Sequence, residues 1–259
     1  MLVAISPAKK LDWSKRTLET TAPDFQANAT SLAHTARELT VEKLKSLMHL
    51  SDALATLNAD RFAAFQETPS NDVTRPALFA FAGDTYQGLD AASLDPDEIR
   101  WAQGHLRILS GLYGVLRPLD AIQAYRLEMG SKLITTRGKN LYEYWGSSLA
   151  EHLNSDAAAT GSDTLVNCAS QEYFGAVDTG ALNIRVVSPV FMEDKSDGKP
   201  PKIISFHAKK ARGAMARYIV QNRLKDATDI QNFDTGGYEY RPELSSPDKP
   251  VFIRVHSAA

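Results

Sequence analysis

The sequence predicts an α+β fold, a single compact domain in which a mixed sheet is surrounded by helices. Short apolar runs bounded by turn signals, among them Leu2–Ile5, Thr164–Ala169 and Val251–Val255, have the length and side-chain character of strands. Other segments place apolar residues at helix spacing, as Leu32, Ala36 and Leu39 do. The two kinds of segment do not alternate in a regular β-α-β rhythm, which sets the pattern apart from a doubly wound chain. At 259 residues the chain is expected to form one domain over residues 1–259.

In chain order, Leu2–Ile5 reads as a buried strand ending at Ser6-Pro7, and a basic loop with Lys9 and Lys10 follows. Helices are expected from about Asp24 to Phe65, with Thr40 and Ser51 as N-caps and Leu44, Leu47, Met48, Leu54, Leu57, Phe62 and Phe65 inward. Pro69–Pro76 is a polar linker, and Ala77–Phe81 reads as a strand turned by Gly83-Asp84. Asp95-Pro96-Asp97-Glu98 is a helix start: an Asp cap, proline at the first position, acids against the dipole. That helix is expected to reach about Leu109, and a second one to run from the Gly111/Gly114 turn towards Met129. Asn140–Leu153 reads as a helix. Asn183–Met192 and Pro201–Phe206 read as strands joined by a hairpin turn at Ser196-Asp197-Gly198. Ala208–Arg223 is expected to be helical.

Composition excludes several classes. The formal net charge is -2, so no global basic field marks a nucleic-acid binder, and any such role must rest on local charge. The one cysteine, Cys168, excludes an internal disulfide framework and a cysteine-rich zinc site. Its apolar neighbours predict a buried structural thiol. No apolar run approaches the roughly 18 residues of a membrane span, and the N-terminus lacks a basic leader, so a cytoplasmic protein is expected. The six histidines are scattered without ligand spacing, so neither a metal nor a cofactor is expected.

Charge is segregated along the chain. Asp52–Glu98 holds nine acids against two bases. Lys202–Tyr218 holds Lys202, Lys209, Lys210, Arg212 and Arg217 and no acid. On a helix, Lys209, Arg212 and Arg217 fall close to one face. Such a run is either a solvated face or an anion-binding wall. The missing acids favour the second, because solvated faces mix signs. Gly213 within that helix implies a close neighbour, either another helix or a ligand.

A second segment points the same way. In Leu106–Pro118 an apolar stretch, a Gly111-Leu-Tyr-Gly114 turn and another apolar stretch resemble a helix-hairpin-helix, in which a glycine turn offers backbone N–H groups to DNA phosphate. Arg117 could assist. The spacing has one residue more than the usual Gly-x-Gly, and a tight buried turn is the alternative.

Seven blocks in order tie the chain to a family: Ile5-Ser-Pro-Ala-Lys-Lys-Leu11, Gly83-Asp-Thr-Tyr-Gln-Gly-Leu89, Leu109-Ser-Gly-Leu-Tyr-Gly-Val-Leu-Arg-Pro-Leu-Asp120, Tyr125-Arg-Leu-Glu-Met-Gly130, Leu141-Tyr-Glu-Tyr-Trp-Gly146, Asn167-Cys-Ala-Ser-Gln-Glu-Tyr-Phe174 and Ile204-Ser-Phe-His-Ala-Lys-Lys-Ala-Arg-Gly213. Together they resemble the YaaA family of peroxide-stress proteins. The departures are small: Lys10 where threonine is common, and Tyr144 where phenylalanine is common. The resemblance implies a cytosolic protein that limits peroxide damage by lowering free intracellular iron. It also implies a single-domain fold with a helix-hairpin-helix and a basic cleft, and binding of double-stranded or structurally distorted DNA. It brings no settled catalytic site.

The expected DNA-binding residues are Lys9, Lys10, Gly111, Gly114, Arg117, Arg126, Lys209, Lys210, Arg212 and Arg217, in a chain expected to act as a monomer. An alternative is an enzyme on damaged DNA or a nucleotide, with Lys9 or Lys209 as a Schiff-base amine near Glu128, Glu172 or Asp84. Convergence of bases alone would favour binding; convergence with these carboxylates and Tyr173 would favour catalysis.

Overall fold

The computed structural model describes residues 1–256 as an α+β arrangement of helices around mixed sheets. The main sheet joins Leu2–Ile5 (β1), Leu106–Ser110 (β2), Gly114–Leu116 (β3), Thr164–Cys168 (β4) and Arg185–Val187 (β5) in the order β3-β2-β1-β4-β5. β2, β1, β4 and β5 run parallel, and β3 turns back against β2. β1 is fully buried at the centre, which fits its unbroken apolar sequence.

A second sheet has Val190–Asp194 (β6), Tyr238–Tyr240 (β7) and Val251–Val255 (β8), with β8 in the middle. Its pieces are tied by buried Glu193, which accepts from Tyr238 Oη, from Arg254 Nε at 2.9 Å and pairs with His256 Nε2 at 2.6 Å.

The helices used below are Gln26–Arg37 (α1), Val41–Met48 (α2), Asp52–Ala63 (α3), Asp84–Leu89 (α4), Pro96–His105 (α5), Leu141–Trp145 (α6), Ser148–Thr160 (α7), Gln171–Phe174 (α8) and Ser205–Asn222 (α9). Local signals place them well. Thr40 and Ser51 cap α2 and α3, and Asp95 starts α5 with a full capping box and Pro96 in the first turn. Within α3, however, Leu54 and Leu57 face outward while Ala55, Asn58 and Phe62 are buried.

The largest correction concerns the glycine segment. The expected helix from Asp95 ends at His105, and Leu106–Ser110 is a strand because it pairs with β1, Val3 opposite Leu106 and Ile5 opposite Ile108. Gly111-Leu-Tyr-Gly114 is the turn of a β-hairpin, with Gly114 at φ +67. Every residue from Leu106 to Leu116 is buried. Trp145 Nε1 donates to Gly111 O at 3.2 Å, and Tyr113 N donates to Ser110 Oγ at 2.9 Å. No helix-hairpin-helix is formed here, and the turn has no open face for phosphate.

Smaller differences come from distant pairing and, at one glycine, from a local break in the backbone. Ala77–Ala80 is a helical turn whose Ala77 and Leu78 N–H groups donate to Asp120 O and Pro118 O. Gly146, at φ +50, divides the expected Asn140–Leu153 helix into α6 and α7. Asn183–Met192 is divided between the two sheets at Ser188-Pro189. Pro201–Phe206 contributes one bridge, Lys202 to Glu193, before α9 begins.

α9 packs across β1 and β4 and lies against α4. The approach is governed by two glycines. A Cβ on Gly88 would lie 1.9 Å from Lys210 O, and one on Gly213 would lie 1.8 Å from Thr85 O. Gly213→Ala is therefore expected to lower stability by about 1–3 kcal/mol through overpacking. Gly104→Ala, where an added Cβ meets open space, is expected to gain up to about 1 kcal/mol from helix propensity. Urea denaturation of both variants distinguishes the two outcomes. Cys168 closes β4, fully buried, and burial pushes its thiol up to about 12, with Arg212 opposing in part. Iodoacetamide is expected to label Cys168 in urea and leave it unmodified in the native protein; rapid native labelling would contradict this.

Candidate functional site

The order β3-β2-β1-β4-β5 has a switch point: from β1 the chain goes first to β2 on one side and later to β4 on the other. In open parallel sheets the crevice beyond the carboxyl ends of such strands is the habitual ligand site. Ser6 and Ser170 stand there, just past β1 and just past Ala169 after β4. Ser170 N donates to Ser6 Oγ at 2.8 Å, and the two hydroxyls lie 3.3 Å apart. Ser170 also caps α8, accepting from Tyr173 N at 3.4 Å, and so fixes Tyr173 over the crevice.

Two further elements wall it. Lys10–Leu11 pairs antiparallel with Phe81–Ala82, and this ribbon leads into Gly83 and α4. Opposite, α9 presents Lys209 and Arg212. The result is a cavity of about 330 Å³ lined by Ser6, Lys9, Lys10, Asp84, Thr85, Cys168, Ser170, Glu172, Tyr173, Lys209 and Arg212. A recess beside it shares Lys9 and Tyr173 and adds Phe81, Tyr125, Arg126 and Glu128.

Within the recess Glu128 Oε1 lies 3.0 Å from Lys9 Nζ and 2.9 Å from Arg126 Nη2. Lys9 is exposed and Glu128 half-buried. Glu172 Oε1 accepts from Gly130 N at 3.0 Å. Burial, with Tyr125, Glu172 and Glu128 adding to it, pushes the Tyr173 phenol well up, so it stays a neutral donor. Tyr86 is also pushed up, by burial first and then by Tyr125 and Tyr173; its hydroxyl is buried and has no partner. Chemically, the arrangement gathers cations, hydroxyls, carboxylates and a phenol around one cavity and its recess.

Of the residues expected to meet DNA, Lys9, Lys10, Lys209 and Arg212 line the cavity, and Arg126 lines the recess. Lys210 is exposed on the same helix, next to Lys209. Lys10, Lys209, Lys210 and Arg212 form no ion pair among the described residues. Gly111 and Gly114 are in the core. Arg117 is engaged internally with Asp120 at 3.0 Å, Asp24 at 3.2 Å and Ala22 O at 2.8 Å. Arg217 donates to Asp90 O at 2.8 Å and Leu89 O at 3.1 Å, anchoring α9 to the end of α4. Sequence reasoning did not pick out Ser6 or Thr85; the turn signal at Ser6-Pro7, directly after a buried strand, was the clue to the first.

Among the described residues no helix is long and apolar enough to cross a membrane, and no group of three or more His, Cys, Asp or Glu is placed to hold a metal ion.

A family model described as peroxide stress protein YaaA matches residues 1–244. A UPF0246 protein of Roseobacter denitrificans is 66% identical over the whole of both chains. Another of Ruegeria pomeroyi is 67% identical over 99% of each, and one of a Jannaschia species is 58% identical over 100% of this chain and 98% of its own. The chain therefore belongs to the YaaA family of peroxide stress proteins.

Proposed function

We propose that this protein is a cytoplasmic DNA-binding component of the response to peroxide, and that it grips phosphate at the mouth of the cleft between α9 and the carboxyl ends of β1 and β4. The observation behind this reading is the set of cations without acidic partners, Lys10, Lys209, Lys210 and Arg212, three of them on the acid-free helix α9. A folded surface that only needs solubility mixes signs; one that holds phosphate does not. Binding through phosphate is indifferent to sequence and suits duplex or distorted DNA alike. The accompanying fall in free intracellular iron would follow indirectly, through the response this protein serves.

A second reading, an enzyme on damaged DNA, is favoured by Lys9 and Glu128 standing 3.0 Å apart beside Tyr173. Lys9 would have to lose its proton to solvent before reacting, with Glu128 placed to relay protons during the addition. The freed amine would add to the aldehyde carbon of an abasic sugar and lose water to give an imine. Borohydride would reduce that imine to a stable amine.

The first reading is tested by salt dependence. The logarithm of the association constant for duplex DNA should fall linearly with the logarithm of salt, and Lys209→Ala with Lys210→Ala should reduce the slope by about 0.9 for each phosphate these lysines neutralise. Arg117→Ala should leave the slope unchanged and cost about 1–3 kcal/mol of stability, because buried Asp120 loses its cationic partner and keeps only Thr21 Oγ1 and a backbone N–H. Affinity that stays flat from low to moderate salt rules out the phosphate grip. For the second reading, incubation with abasic DNA and borohydride should yield a covalent adduct that disappears in Lys9→Ala; no adduct and no strand cleavage by the unaltered protein removes it.

A further inference from the structure

A phosphate grip alone does not account for the interior of the cleft. Asp84, half-buried, and Glu172, exposed, line the same cavity as the cations, and half-buried Glu128 lines the recess. Carboxylates repel a polyanion and would weaken binding if phosphate were the whole ligand. They favour a ligand that brings N–H donors with its negative charge. Ser6 and Ser170 can donate or accept, and Tyr173 donates. The volume of about 330 Å³ falls within the roughly 300–1,000 Å³ of small-molecule sites. It suits one flat heterocycle with its sugar and excludes a duplex, whose major groove alone is about 12 Å wide.

We infer that the cavity beyond β1 and β4 receives a single unstacked nucleotide, its phosphate held by Lys10, Lys209 and Arg212 and the N–H groups of its base turned to Asp84 and Glu172. This inference rests on the DNA reading above for its source of nucleotide. The same chemistry could be met by a free mononucleotide, and the test separates the two. Bases leave a helix most readily where they are mismatched or unpaired, so the protein should prefer such sites over intact duplex. The cavity, not the cations, would set that preference. Thr85 on the wall is the residue to alter: it is half-buried and in none of the proposed phosphate contacts.

The experiment compares three probes at fixed salt: an intact duplex, the same duplex with one 2-aminopurine opposite an abasic site, and deoxyadenosine monophosphate. The expected result is about a tenfold tighter complex with the unpaired base than with intact duplex, and loss of that preference in Thr85→Trp, where indole fills the cavity. In the unaltered protein the bound 2-aminopurine should become several-fold less accessible to acrylamide, a measurement that holds even if Thr85→Trp fails to fold. Saturable binding of the mononucleotide, abolished by Thr85→Trp, would support the cavity with a free nucleotide as its source. Equal affinity for both duplexes, an acrylamide-accessible base and no mononucleotide binding would overturn the inference and leave the phosphate grip intact. Failure to bind any DNA would instead overturn the DNA reading.

Discussion

The contact between α4 and α9 is the constraint on which the cleft depends. Two glycines, Gly88 and Gly213, let the backbones meet so closely that each occupies the space a Cβ would need on the other. Lys209 and Arg212 are thereby held opposite Asp84 and Thr85, and the Lys9-Lys10 loop is caught between α4 and the ends of β1 and β4. Arg217 repeats the clamp one turn later through the carbonyls of Leu89 and Asp90. A bulkier residue at either glycine would move the cationic wall as a unit. The unusually small residue in the basic helix is thus a positioning device, and the charges owe their convergence to packing.

The cleft mixes two kinds of electrostatics. At the mouth, lysines and an arginine without acidic partners are free to meet anions. In the recess, Lys9 and Arg126 share Glu128, so about half of their charge is already compensated. On the proposed reading, such a site would bind in two stages: long-range attraction would bring a polyanion to the rim, where screening by salt is effective, and short-range hydrogen bonding would decide what enters.

Much of the fold was legible where the signal was local. Asp95 and Pro96 define a helix start by their own chemistry, as do Thr40 and Ser51, and Cys168 sits in an apolar run that could only be buried. The glycine segment was not legible, for a physical reason. Leu106–Ser110 is apolar throughout its buried length, and a continuous apolar run fits a buried strand as well as a helix. The decision is made by β1, a hundred residues upstream, whose edge Leu106 and Ile108 complete. The same distance hides the roles of the arginines. Arg117 and Arg217 look like members of a basic patch in sequence; Asp90, which holds Arg217, and Asp24, which with nearby Asp120 holds Arg117, are remote along the chain. What could be read was that Lys9, Glu128, Glu172, Tyr173 and Lys209 share the family blocks. What could not be read was that Glu128 lies against Lys9 and Arg126 in a recess while Lys209 faces the larger cavity.

The topology also bears on how the chain is made. In each sheet the central strand lies at an extreme of the sequence. β1 is synthesised first and must wait for residues 106 and 165 before either edge can pair. β8 comes last, and β6 and β7 have no common neighbour until it emerges. The main sheet can grow as its strands emerge, whereas the second sheet has to wait for β8. Until β2 has been made, β1 is an apolar segment with both edges open, a state that invites aggregation and chaperone attention. The cavity needs α9 as well as β1, β4 and α4, so a nascent chain that stops short of residue 205 lacks its cationic wall.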